Sequence, residues 1–384
     1  NDMKKALGVI LVLSMAVGTL AGCGSAKSSG DTYKIGGIGP TTGAAAIYGT
    51  AVKNGAQIAV DEINAAGGIN GKQIEFKFED DQHDAEKSVN AYNSLKDWGM
   101  QMLMGTVTST PCIAVANETA NDKMFELTPS ASSTDVIKNG NVFQVCFTDP
   151  NQGVASADYI ADNKIGSKVA IIYDSSDVYS TGIEEKFVSE AKSKNLEVVA
   201  SEAFTADTNT DFSTQLQKAK EAGADLVFLP IYYTQAAIIL QQASSMSYAP
   251  KFFGCDGLDG ILNVENFKTS LAEGVMLLTP FSADATDSKT KTFVDAYKKA
   301  YKDTPNQFAA DAYDAIYTIK AAAEKANITP ATSVSDTCDA MKKAMTEIKV
   351  DGLTGTGMSW TSSGAVSKDP KAVVIKNGAY VSMD

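Results

Sequence analysis

Short apolar runs alternate with segments of helical periodicity along the chain from residue 31 onward. In residues 51–66, Val52, Ala56, Ala59 and Ile63 recur at steps of three and four, which places them on one face of a helix. Runs rich in β-branched and aromatic residues predict strands. The predicted strands form two series, residues 33–39, 73–79, 100–105, 124–128 and 142–147, then residues 168–173, 197–204, 226–230, 251–254 and 274–278. The predicted helices are residues 51–66, 85–98, 111–121, 153–163, 180–194, 211–222, 234–245, 288–301, 307–327 and 335–346.

This alternation of strands and helices predicts an α/β fold. Consecutive strands joined by helices pair in parallel through right-handed crossovers. Two such series in one chain therefore predict two doubly wound parallel-sheet lobes. Because open α/β sheets bind ligands at the carboxyl ends of their strands, two facing lobes predict a ligand cleft between them.

The N-terminal segment has the features of an export signal. Two lysines precede an apolar run, residues 6–21, which is short for a transmembrane helix but typical of a signal-peptide core. The run leads into Leu-Ala-Gly-Cys at residues 20–23, which looks like a bacterial lipobox. We expect residues 1–22 to be a lipoprotein signal peptide and Cys23 to carry the lipid. Residues 23–31, rich in Ser and Gly, suit a flexible tether.

Charge and residue usage argue against several classes of function. The 384 residues carry a formal net charge of -13, and an acidic surface repels nucleic-acid phosphates. All 33 basic residues are lysines, so no guanidinium can clamp a carboxylate or phosphate. The single histidine, His83, has no evident nucleophile partner and leaves no basis for a multi-histidine metal site. We therefore expect no enzymatic activity, no cofactor and no bound metal.

Two further groups of residues have alternative interpretations. The acidic run at residues 80–84 could suggest a calcium or magnesium site, but its carboxylates are adjacent rather than alternating. We favour a solvated loop that caps the following helix. The cysteines beyond Cys23 form no CxxC pair, and we favour buried free thiols over disulfides. These cysteines are Cys112, Cys146, Cys255 and Cys338.

Two loops offer groups that could bind an anion. Residues 105–111 lead from a strand to a helix whose cap would be Ser109 or Thr110. The free amides and hydroxyls at such a helix start suit a carboxylate, although a routine capped helix is the alternative. Residues 128–133 form a similar loop after the next strand, so both could contact one ligand. The glycine-rich residues 36–43 lack the Gly-Lys-Ser/Thr of a phosphate loop and favour a turn that lines the cleft.

Several of these segments together carry a family resemblance. Residues 35–43, 105–109, 128–133 and 253–257, with Asp-Glu-Ile-Asn-Ala-Ala-Gly-Gly-Ile-Asn-Gly-Lys at residues 61–72, resemble leucine/isoleucine/valine-binding proteins. That family belongs to the type I periplasmic binding proteins. The likeness extends over nearly all of the chain that follows the tether.

Carried over residue by residue, the resemblance implies a pocket between the lobes. The serines would bind the α-carboxylate and help to orient the α-ammonium, the tyrosines would pack over the ligand, and Asp256 would pair with the ammonium. Tyr233 is the alternative to Tyr232. Relatives more often carry glutamate at the position of Asp256, and Cys255 beside it is unusual. The implied ligand-binding residues are Tyr48, Ser109, Ser130, Ala131, Ser132, Tyr179, Tyr232 and Asp256.

The resemblance also implies a domain organisation. The chain would cross between the lobes three times, near residues 148–151, 278–282 and 354–360, which together form the hinge. The implied boundaries are residues 32–150 and 280–356 for the first lobe and residues 151–279 and 357–384 for the second.

The implied function is capture of an amino acid, aliphatic or branched-chain, by a monomeric substrate-binding lipoprotein of an ABC transporter. It would deliver the ligand to permease and ATPase subunits from the extracytoplasmic face of the cell membrane, where the lipid on Cys23 anchors it. Alternatives keep the fold and change the ligand to another amino acid, an amide or a carboxylate, or make the chain a ligand sensor. The features above disfavour an enzyme.

Overall fold

The computed structural model describes residues 31–383. The predicted signal peptide, Cys23 and most of the predicted tether lie outside the described residues. Within the described range, no helix has both the length and the apolar character needed to cross a membrane.

The strands of that range form two sheets. The first sheet contains β1 (Tyr33–Gly39), β2 (Ile74–Asp80), β3 (Met102–Gly105), β4 (Glu126–Thr128) and β5 (Val142–Gln144). The second contains β6 (Lys168–Asp174), β7 (Glu197–Phe204), β8 (Leu226–Leu229), β9 (Lys251–Gly254), β10 (Met276–Thr279), β11 (Lys371–Lys376) and β12 (Ala379–Ser382).

The α-helices cover both faces of these sheets. They are α1 (Ala46–Ala65), α2 (Ala85–Trp98), α3 (Ser109–Asp122), α4 (Asp149–Asp162), α5 (Val178–Ser193), α6 (Ser213–Glu221), α7 (Tyr233–Ser245), α8 (Ser288–Tyr301), α9 (Gln307–Ala326) and α10 (Val334–Met345). Short 3-10 helices lie at Thr134–Ile137, Asp256–Leu258, Ile261–Asn263 and Thr269–Ala272. We call the first sheet with α1–α3 and α8–α10 the first lobe, and the second sheet with α4–α7 the second lobe.

Each sheet has one point at which the strand order reverses. The first sheet has the order β2-β1-β3-β4-β5, and all of its pairs are parallel. The second has the order β12-β11-β10-β9-β8-β6-β7 and is parallel from β6 to β10. The order reverses between β1 and β3 in one sheet and between β6 and β8 in the other. The predicted fold of two doubly wound lobes is confirmed.

The edge of the second sheet departs from the prediction. Strands β11 and β12 pair antiparallel, and β11 also pairs antiparallel with β10. Asn377 and Gly378 join them with φ angles of 51° and 75°, the geometry of a two-residue hairpin turn. Neither strand was predicted, because a hairpin does not show the alternation of strands and helices from which the other strands were predicted.

Helix α1 begins five residues before its predicted start, and tertiary packing accounts for this extension. A side chain at Gly49 would lie 1.7 Å from the Pro40 carbonyl oxygen, and one at Gly55 would lie 2.1 Å from the Ala309 carbonyl oxygen. Glycine therefore lets α1 approach both the preceding turn and α9 closely. This contact brings Tyr48 on α1 near the start of α9.

Two smaller predictions concern caps and thiols. Asp84 caps α2 by accepting a hydrogen bond from the Lys87 backbone N–H at 2.8 Å, as the sequence predicts. Between residues 31 and 383, no group of three or more His, Cys, Asp or Glu side chains could hold a metal ion. The predicted free thiols are found buried at Cys112, Cys146, Cys255 and Cys338.

Candidate functional site

A small cavity lies between the lobes, at the carboxyl ends of strands beside both reversal points. Its volume is about 10 Å³, close to the space that one water molecule needs. Such crevices are where doubly wound sheets bind ligands. The residues that line it are Tyr48, Val107, Thr108, Ser109, Ser130, Ser132, Tyr179, Tyr232, Asp256, Gly257 and Phe308.

Most of the residues implied by the family resemblance lie on this wall. The exception is Ala131, whose side chain packs with Cys112 and Val136 away from the cavity. Its carbonyl oxygen accepts a hydrogen bond from Gln144 Nε2 at 2.8 Å. Ala131 therefore shapes the second loop without lining the cavity. Ligand binding by the other implied residues stays a prediction.

The start of α3 supplies hydrogen-bond donors from the first lobe. The helix begins at Ser109 with Thr108 as its N-cap, so the predicted caps, Ser109 and Thr110, are wrong. Thr108 makes no side-chain cap, which leaves the first backbone amides open to a ligand. Ser109 Oγ accepts from the Ser133 N–H at 3.2 Å, so the hydroxyl proton of Ser109 can be donated to an anion.

The loop after β4 is tied to the loop after β3. Thr128 Oγ1 donates to the Thr106 carbonyl at 2.6 Å, and Ser130 Oγ donates to the Val107 carbonyl at 2.7 Å. No partner lies at normal hydrogen-bond distance from the buried Ser132 hydroxyl in the described part of the chain, but this hydroxyl faces the Asp149 carboxyl and lowers its pKa. Of the three predicted serines, Ser109 thus retains the clearest capacity for a ligand.

Asp256 supplies an acceptor from the second lobe. It follows β9 in a short 3-10 helix and is 4% exposed. Its Oδ1 accepts from Tyr179 Oη at 2.7 Å, and its backbone N–H donates to Gln152 Oε1 at 2.9 Å. Burial raises the pKa of Asp256 to about 6, while the bond from Tyr179 acts in the opposite direction. A cationic group beside Asp256 would favour its charged form.

Neighbouring Cys255 points elsewhere. Its sulfur lies 3.6 Å from Ser156 Oγ and packs in the core of the second lobe. An added side chain at Gly254 would lie 2.9 Å from the Leu229 carbonyl oxygen, so glycine suits this position. The unusual cysteine lies in the core of the second lobe and not on the cavity wall.

Tyrosine side chains join the lobes around the cavity. Tyr48 of the first lobe donates its hydroxyl to the Gly257 carbonyl and accepts from the Tyr233 N–H at 3.2 Å. Tyr179 and Tyr232 stack with ring centroids 4.9 Å apart, and Tyr48 meets Tyr232 edge-on at 5.4 Å. Burial raises the pKa of all three phenols well above the usual range, so they remain protonated hydrogen-bond donors.

The structure distinguishes the two candidate tyrosines by position. Tyr232 lines the cavity, whereas Tyr233 lies outside its wall and accepts from the Ile47 N–H at 3.0 Å. Tyr233 therefore forms a contact between the lobes, and its ring packs against Tyr48 at 4.7 Å.

Asp149 adds a second buried carboxyl group beside this wall. It begins α4, is 2% exposed, and its backbone N–H donates to the Ser132 carbonyl at 2.8 Å. Burial raises the pKa of Asp149 well above its ordinary value, and Asp256 adds to that shift. The side of the cavity near Asp256 favours a cation, and the side near α3 favours an anion.

Several residues at the site were not predicted from the sequence. Phe308 lines the cavity and packs against Tyr48 with ring centroids 4.5 Å apart, although 260 positions separate them. Val107 and Thr108 belong to a predicted loop but received no role, and Gln152 anchors the backbone of Asp256 from α4. No local pattern marks Phe308 or Gln152, since only the packing of distant elements brings them to the cavity.

Comparison with known proteins gives matches over nearly the whole chain. A family model described as periplasmic binding protein matches residues 32–379. The Leu/Ile/Val-binding protein BraC3 of Rhizobium johnstonii is 32% identical over 328 residues, which is 84% of this chain and 85% of the relative.

Solved structures with the same fold include proteins with different ligands. The branched-chain amino acid transporter substrate binding protein LivJ from Streptococcus pneumoniae, in complex with isoleucine, matches with a TM-score of 0.82 and 30% identity, covering 91% of this chain and 97% of LivJ. A solute binding protein of an ABC transporter from R. palustris, in complex with benzoate, matches with a TM-score of 0.80, covering 92% of this chain and 95% of that one. Its identity is 19%, so this second likeness concerns the fold alone.

Proposed function

Because the chain belongs to the periplasmic binding protein family, whose members bind and do not transform their ligands, we propose that it is the solute-binding component of an ABC importer. In this proposal its two lobes close over an aliphatic amino acid, a branched-chain one above all, and deliver it to the permease. The names of BraC3 and of LivJ, which was solved with isoleucine, support this ligand class.

One observation carries the amino-acid proposal, namely that the cavity is polarised between its two lobes. Ser109 and the open amides of α3 lie on one side, and Asp256 lies on the other. An amino acid is a zwitterion, which needs donors for its carboxylate and an acceptor for its ammonium. Buried charges without such partners are costly, so the pair of sites selects against ligands that carry only one charge.

The remaining wall suits an aliphatic side chain. Tyr48, Tyr232 and Phe308 contribute aromatic rings, and Val107 adds a branched aliphatic group. One methylene changes binding in such a pocket by about 1–3 kcal/mol. We therefore expect leucine, isoleucine and valine to bind with affinities that differ by no more than about two hundredfold.

A carboxylate without an amino group is the second candidate, since a protein of the same fold was solved with benzoate. Benzoate would occupy the α3 side of the cavity but leave Asp256 buried without a cation. That cost disfavours benzoate relative to an amino acid. The sensor alternative concerns the partner rather than the ligand, and genes for permeases and ATPases beside this one would favour import.

Calorimetry with matched analogues tests the proposal. The ligand-stripped protein is titrated with leucine, with 4-methylpentanoate, which lacks the amino group, and with 3-methylbutylamine, which lacks the carboxylate. Leucine should bind, and both analogues should bind at least about a hundredfold more weakly, since each leaves one buried charge unpaired. Equal affinity for leucine and 4-methylpentanoate, or preferential binding of benzoate, would overturn the amino-acid proposal. Mass spectrometry of the recovered leucine should show no conversion.

Export and membrane attachment complete the proposal. The family description places its members outside the cytoplasm, and we propose that residues 1–22 direct export and that a lipid on Cys23 anchors a monomeric protein. Cys23→Ala should release the protein from membranes or leave it unprocessed. A variant that is still lipid-modified and membrane-bound would show that the lipobox assignment is wrong. The lobe boundaries near residues 150, 280 and 356 stay part of this proposal.

A further inference from the structure

The loop between β2 and α2 holds His83 beside the cavity. The His83 backbone N–H donates to Asp81 Oδ1 at 2.9 Å. Asp81 is fully buried, and Ser88 Oγ donates to its other carboxylate oxygen at 3.0 Å. His83 has a φ angle of 56°, a left-handed conformation that His tolerates better than most residues. The loop therefore fixes the backbone from which the imidazole extends.

The imidazole contacts both lobes. Its Nδ1 lies 2.7 Å from Oγ1 of Thr108 in the first lobe. Its Nε2 lies 3.7 Å from Oδ2 of Asp177 in the second lobe. The ring also meets Tyr232 of the second lobe edge-on, with centroids 5.5 Å apart. Thr108 and Tyr232 line the cavity, so His83 lies directly behind its wall.

Asp177 connects this contact to the ligand site. It is the N-cap of α5, and its Oδ1 accepts from the Tyr179 N–H at 2.8 Å. Tyr179 in turn donates to Asp256. The side chains of His83 and Asp177 are 28% and 12% exposed, so solvent and salt screen this pair less than a pair on the open surface.

Negative charge surrounds His83 on both sides of the contact. Asp80 and Asp81 precede it in the first lobe, and Asp174 and Asp177 face it from the second lobe. Closing the lobes brings these carboxylates toward one another, which is unfavourable unless a cation lies between them. The His83 imidazole lies at this position.

We propose that the His83 imidazole is a positioning residue that latches the first lobe to Asp177 and thereby stabilises the closed form. The latch rests on the proposed function, because it contributes to affinity only if ligand binding is coupled to closure. Since the His83–Asp177 contact joins different lobes, it is lost when they separate. When a ligand closes the lobes, the His83–Asp177 contact forms and adds to the free energy of binding. The ligand can dissociate only if this contact breaks.

A double-mutant cycle tests the latch. His83→Asn keeps a residue that tolerates the left-handed backbone, and Asp177→Asn keeps an N-cap for α5. Each variant should weaken isoleucine binding by about two- to fivefold, mainly through faster dissociation. The double variant should be no weaker than the weaker single variant, because both remove the same contact.

Matched controls separate this role from a structural one. Lys194→Gln removes an ion pair with Asp162 that lies wholly within the second lobe, and it should leave isoleucine affinity unchanged. Thermal denaturation checks that every variant is folded, and His83→Gln is a second variant if His83→Asn folds poorly. Additive effects in the cycle, or a loss in His83→Asn that Asp177→Asn does not share, would overturn the latch and leave His83 a partner of Thr108 alone.

Failure of the latch can be distinguished from failure of the proposed function. If the wild-type protein binds none of the amino acids, the ligand assignment fails, and the latch is then tested on ligand-free protein by small-angle scattering. Asp177→Asn should increase the radius of gyration when it is introduced into the wild-type protein. It should cause no further increase when it is introduced into the His83→Asn variant. An equal increase in both backgrounds, or no increase in either, would overturn the latch.

Discussion

At the scale of single residues, buried carboxyl groups in different surroundings take different roles. Burial raises the pKa of Asp256 to about 6 and that of Glu126 to about 8. Asp256 lies on the cavity wall, where a ligand cation can pair with it. Glu126 lies inside the first lobe, where Thr119 Oγ1 and Cys112 Sγ lie within hydrogen-bond distance of its oxygens. Burial raises the pKa of both groups, but a ligand cation can offset it at Asp256, whereas at Glu126 it only disfavours the charged form of the carboxyl.

The first prediction concerns the charge of Asp256. Asp256→Asn keeps the size of the side chain but removes the partner of the ligand ammonium, so amino-acid binding should weaken by about 2–5 kcal/mol. Folding should survive, because the residue lines a cavity. Calorimetry with leucine measures the change, and Asp162→Asn, on the exposed face of α4, is the control. Affinity near that of the wild type would mean that the ammonium partner lies elsewhere.

The second prediction concerns Glu126 and pH. Its pKa of about 8 in the folded protein lies above its usual value of 4.5, so the folded chain retains a proton that the unfolded chain releases. Its contribution to the free energy of unfolding is therefore present below pH 4.5 and is lost as pH rises toward about 8. Glu126→Gln removes this loss, and its stability relative to the wild type should rise by about 1.4 kcal/mol per pH unit in that window.

Urea denaturation at several pH values measures this difference. Glu347→Gln, an exposed substitution, should run parallel to the wild type across the same range. Parallel curves for Glu126→Gln and the wild type would show that Glu126 remains charged in the folded protein.

At the scale of elements, α9 connects the cavity to the segment that follows α10. Its first turn carries Phe308 on the cavity wall, and its next turns carry Asp311 and Asp314. Asp314 accepts from the Thr354 N–H at 2.8 Å, and Lys368 Nζ lies 3.3 Å from Asp311 Oδ1. Both side chains of the Lys368–Asp311 pair are nearly fully buried. The position of Phe308 therefore depends on a buried polar network.

The third prediction tests this network. Lys368→Met removes the cation and should lower the free energy of unfolding by about 3 kcal/mol, since a buried charge loses its partner. Adding Asp311→Asn should recover part of the lost stability, because a neutral amide then replaces the carboxylate that lost its partner. Burial already raises the pKa of Asp311 to about 7 with Lys368 beside it, so the loss should also shrink as pH falls.

Urea denaturation of the single and double variants provides the measurement. Lys371→Met, at the exposed start of β11, is the matched control and should change stability little. If Lys368→Met is as stable as this control, α9 is held by its apolar contacts with α1 and not by the ion pair.

At the scale of the whole molecule, the lobes meet across a cavity of about 10 Å³. That space suits about one water molecule, so we expect an amino acid to enter while the lobes are apart and the cavity to widen around it. Tyr48 and Tyr233 tie the lobes through hydrogen bonds to Gly257 and Ile47. These contacts indicate that closure itself is stabilised by groups that do not require a ligand.

The fourth prediction concerns closure in solution. A ligand that contacts both lobes binds the closed form better and shifts the population toward it. Leucine should therefore reduce the radius of gyration measured by small-angle scattering, whereas Asp256→Asn at the same leucine concentration should change less. An unchanged radius in the wild type, with binding confirmed by calorimetry, would remove the argument for a hinge.

The sequence by itself determined the order and approximate bounds of most elements. The strands at Tyr33–Gly39, Glu197–Phe204 and Lys251–Gly254 and the helices at Ala85–Trp98 and Ser288–Tyr301 have the predicted bounds. Periodicity reports which face of an element is buried, and that is a local property. The family resemblance, rather than periodicity, indicated the residues that the structure brings to the cavity wall.

Tertiary structure alone decided which distant groups meet. The contacts of Phe308 with Tyr48 and of His83 with Asp177, the packing of Ala131 away from the cavity, and the antiparallel edge of β11 and β12 were not predicted from the sequence. Each depends on the relative placement of two elements, and no pattern within either element encodes that placement. The family resemblance implied donors from one lobe and an acceptor from the other, and the packing of the two lobes brings these groups to one cavity.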